Sequence, residues 1–126
     1  MGRCASMSRR PPVISEKYIH SAVMAHWKAC GVPGSMVATI PNMRASGQAG
    51  LTKGLPDLII IAPGLPIGFL ELKRKGGELS KHQNAFRDLC ISRGIPFSVT
   101  YGRDEPITVL EAWGACRPSS SVKQGE

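Results

Sequence analysis

The run Asp57-Leu-Ile-Ile-Ile-Ala62, shut in by Pro56 and Pro63, limits the folds open to this chain more than any other feature. Consecutive β-branched residues suit a pleated, packed surface, and the flanking prolines stop the run from continuing as a helix. It therefore reads as a buried central strand. Ile67 to Lys73 reads as a second strand, and the link Pro63-Gly64-Leu65-Pro66 folds the two into an antiparallel hairpin.

The rest of the chain supplies what must cover such a hairpin. Ser15 can cap a helix from Glu16 to about Cys30, whose apolar stripe is Ile19, Ala22, Val23, His26/Trp27 and Cys30, with Gly31 as its stop. Ser35 to Ile40 is a short strand, and Pro41 to Gly54 a long polar loop. Ser80-Lys81-His82-Gln83 has capping-box spacing and opens a helix to about Arg93, stopped by Gly94. Its expected buried stripe is Phe86, Leu89, Cys90 and the Arg93 stem. Pro96 to Tyr101 is a further strand, and Pro106 starts a last helix with Ile107, Leu110 and Trp113 inward. The order α-β-β-β-α-β-α gives an α/β fold on a mixed sheet.

The sequence has 126 residues, enough for one hydrophobic core. Residues 1–12 read as a basic, mobile arm with no apolar segment of a secretory signal, 13–116 as the folded domain, and 117–126 as a disordered tail. The apolar stretch from Leu55 to Leu72 is broken by Asp57, Pro63, Pro66 and Glu71, so no membrane span is expected. Cys4, Cys30, Cys90 and Cys116 form no C-x-x-C pair, which points to reduced thiols in a cytoplasmic compartment. The net charge of +7 favours polyanionic partners.

Chemistry concentrates on the hairpin. If Ala62 and Ile67 close the turn, Asp57 lies opposite Glu71 or Leu72, and one residue of register decides which. Alternation puts Phe69, Glu71 and Lys73 on one face and Leu70 and Leu72 on the other. Two carboxylates facing each other on central strands repel and are costly to desolvate. A divalent cation relieves both problems, and Mg²⁺ takes one or two protein carboxylates together with water and phosphate oxygens. Lys73 can then orient or deprotonate an attacking water, or steady the phosphate. A Glu-x-Lys alone is more often a surface ion pair; Pro56-Asp57 on the neighbouring strand shifts that balance.

Gly54-Leu-Pro-Asp57, Glu71-Leu-Lys73, Gly76-Gly-Glu-Leu-Ser80-Lys-His-Gln83 and Gly94 together resemble the VRR-NUC branch of the PD-(D/E)XK nucleases, over about residues 14–113. The resemblance implies a restriction-endonuclease-like α-β-β-β-α-β core and Mg²⁺- or Mn²⁺-dependent hydrolysis of DNA. It implies Asp57, Glu71, the Leu72 carbonyl and Glu16 as metal-binding groups, Lys73 as the catalytic lysine with Asp57 and Glu71, and Gln83 close to the site as a further catalytic residue. Short stand-alone members resemble viral and bacterial enzymes that dimerise and cut branched DNA such as four-way junctions, which would place this one in a bacterial or phage-infected cell.

Other readings of single residues compete. Glu16 also suits a helix dipole, Gln83 a capping box, and His20 and His82 solvated helix positions. Trp27 and Trp113 read as core. Arg44, Lys53, Arg74, Lys75 and Lys81 flank the site and are the expected phosphate contacts, blind to base sequence. The rival functions are a duplex- or flap-cutting nuclease of the same fold and a basic DNA-binding module without catalysis.

Overall fold

The computed structural model describes residues 13–41 and 52–118. The expected arm over 1–12, Cys4, most of the long loop with Arg44, and the tail from 119 onward lie outside the described residues. The elements run α1 (Glu16–Cys30), β1 (Met36–Thr39), β2 (Leu58–Ala62), β3 (Leu65–Lys73), α2 (Lys81–Ser92), β4 (Phe97–Tyr101) and α3 (Asp104–Ala112). The four strands form one mixed sheet in the order β1-β2-β3-β4, antiparallel except for the β3–β4 pair, which α2 connects. This is the expected α/β class, with helices flanking a mixed sheet.

Local signals explain most boundaries. Ser15 Oγ accepts the Tyr18 N–H at 3.1 Å and so starts α1. Gly31 ends it for a reason other than the expected left-handed turn. Its φ is −66°, and a Cβ there would sit 2.6 Å from both Trp27 Nε1 and the Trp27 carbonyl. Lack of space, not conformational freedom, requires glycine. Trp27, packed against the core, donates its indole N–H to Ser35 Oγ at 3.0 Å and so needs that room.

The hairpin differs from expectation in its turn. Ala62 pairs with Leu65, so Pro63-Gly64 alone make the turn and β3 begins before Pro66. Gly64, at φ +100°, supplies the conformation that a shorter connection demands. A register irregularity between Ile60 and Ala62 absorbs the difference.

Leu58, Ile60, Leu70 and Leu72 form the core with Ile19 and Val23 of α1 and Leu110 of α3. The opposite face is covered more thinly by α2. Phe86 stacks edge-on against Phe69, with ring centroids 5.3 Å apart, and meets Phe97 at 6.0 Å. Of the stripe expected on α2, only Cys90 is buried; Leu89 and Arg93 are exposed, because α2 lies over the β3–β4 side and turns those positions to solvent. Helix α3 starts two residues before Pro106, at Asp104, and Leu110 is buried as expected. Cys30, Cys90 and Cys116 are free thiols. No helix among the described residues is long and apolar enough to cross a membrane.

Candidate active site

Strand pairing settles the register left open by the sequence. Leu58 pairs with Leu70 and Ile59 with Phe69, so extending the ladder by one residue sets Asp57 opposite Glu71. Asp57 reaches along the pair, and its Oδ2 accepts the Leu72 backbone N–H at 2.7 Å. That bond anchors the carboxylate where β2 begins. Glu71 is 2% exposed, and Thr100 Oγ1 on the parallel neighbour β4 donates to its backbone carbonyl at 3.1 Å. Lys73 lies on the same face of β3, also buried, with Nζ 3.9 Å from Glu71 Oε2. The expected trio is therefore assembled at the end of the hairpin away from its turn.

Helix α2 adds a fourth member. Ser80 and Gln83 complete the capping box, and the Gln83 Nε2 also donates to Glu71 Oε2 at 3.0 Å. The cap and the site-facing role are thus not alternatives; one side chain performs both. The turn before Asp57 packs onto the same helix. Gly54 has φ +90°, and a Cβ on it would lie 2.5 Å from the His82 carbonyl oxygen. Glycine is needed there twice over, for conformation and for close approach.

The electrostatics are those of a site short of positive charge. Burial pushes the Glu71 carboxyl up to about 8; the charge of Asp57 adds to the rise, and Lys73 opposes it. Asp57 is also raised, again chiefly by burial, against the lowering effect of the Leu72 N–H. Glu71 Oε1 is buried, and no donor among the described residues reaches it. The raised Glu71 carboxyl can share its proton with Asp57, to which it is hydrogen-bonded, and a divalent cation between the two carboxylates would take that proton's place. One or two protein carboxylates are a donor set that Mg²⁺ accepts, with water and phosphate oxygens completing its shell.

Glu16, on α1, is close enough for its charge to raise both Asp57 and Glu71, and its Oε2 accepts the Arg74 N–H at a long 3.4 Å. Lys53, Arg74, Lys75 and Lys81 are exposed on the segments flanking the trio. His82 is exposed, as expected, but His20 is half-buried, with Nε2 3.0 Å from Thr39 Oγ1. Its ring joins α1 to β1 and lies near enough to lower the Asp57 pKa.

Sequence reasoning missed Thr100, whose contact depends on β4 lying parallel to β3. It also missed Arg103, which shares a cavity of about 360 Å³ with Val13, Ile14, Lys75, Tyr101 and Glu105. Nothing local in the sequence marks either residue.

The VRR-NUC domain family matches residues 14–104. No curated protein matches. A solved structure described as a VRR_NUC domain protein is 22% identical, with a TM-score of 0.68 over 82% of this chain and 90% of its own. Another, described as a VRR_NUC domain, is 19% identical, with a TM-score of 0.59 over 79% and 99%. At such identities these two structures speak for the fold. The family match spans every element from α1 to β4 and holds all four polar residues gathered at the end of the hairpin; the chain belongs to the VRR-NUC domain family of nucleases.

Proposed function

We propose that this chain is a divalent-metal-dependent DNA endonuclease, acting as a homodimer on branched DNA such as four-way junctions. The observation that carries the metal reading is Glu71 Oε1, buried beside a second carboxylate and reached by no donor among the described residues. Asp57 and Glu71, with the Leu72 carbonyl, would hold Mg²⁺ or Mn²⁺. That ion would supply Lewis acidity to a phosphoryl oxygen and acidify a water molecule.

The chain's own groups do the rest. The Asp57 carboxylate, tied to the Leu72 N–H, keeps a fixed orientation and costs little reorganisation during reaction. Lys73, fixed beside Glu71, donates to the negative charge that develops on the phosphate. Lys53, Arg74, Lys75 and Lys81 bind neighbouring phosphates and set the backbone's position without reading bases. Paired incisions across a junction require two active sites, which a symmetric dimer provides.

The test is cleavage of labelled four-way junction, flap and linear duplex, side by side, with Mg²⁺, Mn²⁺ or EDTA. Metal-dependent cutting with preference for the junction is expected. Failure to cut any of the three with either metal would refute the proposal, and equal cutting of linear duplex would remove its branched-DNA part.

A further inference from the structure

Gln83 is held at both ends of its amide. Its Oε1 accepts the Ser80 backbone N–H at 2.8 Å, and its Nε2 donates to Glu71 Oε2 at 3.0 Å. Only one orientation serves both, because the Ser80 N–H needs an acceptor and a flipped amide would set donor against donor. The capping box therefore decides which end of Gln83 faces the carboxylate. Gly54 brings the loop that carries Asp57 against the same turn of α2, at His82. Both carboxylates are thus referenced to one helical turn.

The two oxygens of Glu71 are unequal in consequence. Oε2 takes the Gln83 amide and lies 3.9 Å from Lys73 Nζ, whereas Oε1 is the buried atom that no donor among the described residues reaches. We propose that Gln83 is a positioning residue that pins Glu71 Oε2 through the helix cap, so that Oε1 is the oxygen offered, beside Asp57, to the metal. This deepens the metal-nuclease reading and rests on it. Partners of a metal-binding carboxylate typically change metal affinity or activity by about 10–100-fold when removed.

A cap with no further duty would work equally well with glutamate, since Glu and Gln both complete the box. Gln83→Glu keeps an acceptor for Ser80 but sets a carboxylate oxygen where the donor to Glu71 stood, so the cap survives while the hold on Oε2 turns to repulsion. Gln83→Met keeps similar length and abolishes both. Cleavage kinetics, thermal melts and Mn²⁺ calorimetry on the full chain test the proposal. Gln83→Glu should melt below wild type in EDTA, since its charge faces Glu71, and lose roughly tenfold or more in kcat with KM unchanged. Gln83→Met should bind Mn²⁺ about 10–100-fold more weakly. Wild-type cleavage by Gln83→Glu, or wild-type Mn²⁺ affinity in Gln83→Met, would overturn the proposal. A wild-type protein that binds no Mn²⁺ and cuts no DNA would overturn the functional reading itself.

Discussion

Glu71 is kept at a cost. It is 2% exposed, its carboxyl is raised to about 8, and no donor among the described residues reaches one of its oxygens. Replacing it with a neutral isostere should therefore act in opposite directions on stability and chemistry. Glu71→Gln is expected to raise the melting midpoint of the metal-free protein at pH 8 while abolishing cleavage. A lower midpoint in EDTA would contradict that account. Lys73→Ala should lower kcat by about 10²–10³-fold, the usual loss when one preorganised donor is removed. Steady-state rates on a junction substrate would measure it. At this scale much was legible, because strand alternation alone puts Glu71 beside Lys73 and the hairpin brings Asp57 near. The Gln83–Glu71 contact was not readable from spacing, since it depends on how α2 lies across the sheet. Glu16 was legible as a nearby acid, but its bond to the Arg74 amide was not.

Elements explain how the pH response should run. Glu71 and Asp57 both sit where β2 and β3 pack together, and both carry raised pKa values. A raised folded-state value means the folded protein binds the proton more tightly than the unfolded chain does. The Glu71 contribution to stability is thus full below its ordinary value of 4.5 and is lost as pH rises through about 8. Thermal melts in EDTA should show wild type losing stability relative to Glu71→Gln across that window, and added Mn²⁺ should restore most at the alkaline end. The Gly54 turn joins β2 to α2 just as firmly. Gly54→Ala should destabilise the fold by roughly 1–3 kcal/mol, from strained backbone plus collision with His82, and lower activity with it. Denaturant unfolding would read the loss. Helix boundaries were legible because Ser15, Ser80 and Gly94 carry local chemistry. The α2 stripe was misjudged because Leu89 looks apolar in sequence, yet no element among the described residues covers it.

Across the whole molecule, the excess of basic residues bears on substrate affinity. With a net charge of +7, binding to DNA should weaken steeply as salt rises. Removing Lys75 alone should reduce the slope of log affinity against log salt by about one, to the same extent on every DNA sequence. Binding isotherms at several salt concentrations would show it, and a change confined to one sequence would speak against a phosphate contact. The overall order of elements was readable because each has its own period or cap; the parallel β3–β4 pairing was not, since sequence does not state which strands become neighbours.

The two-residue turn at Pro63-Gly64 has a practical use. Gly64 is exposed, but its φ of +100° would strain any side chain placed there, so the exposed Pro63 beside it is the position to substitute. Strand β2 separates the turn from Asp57 by roughly 15–20 Å, at about 3.3 Å per residue. A fluorophore or short peptide tag introduced at this turn should report on DNA binding in real time without touching the chemistry.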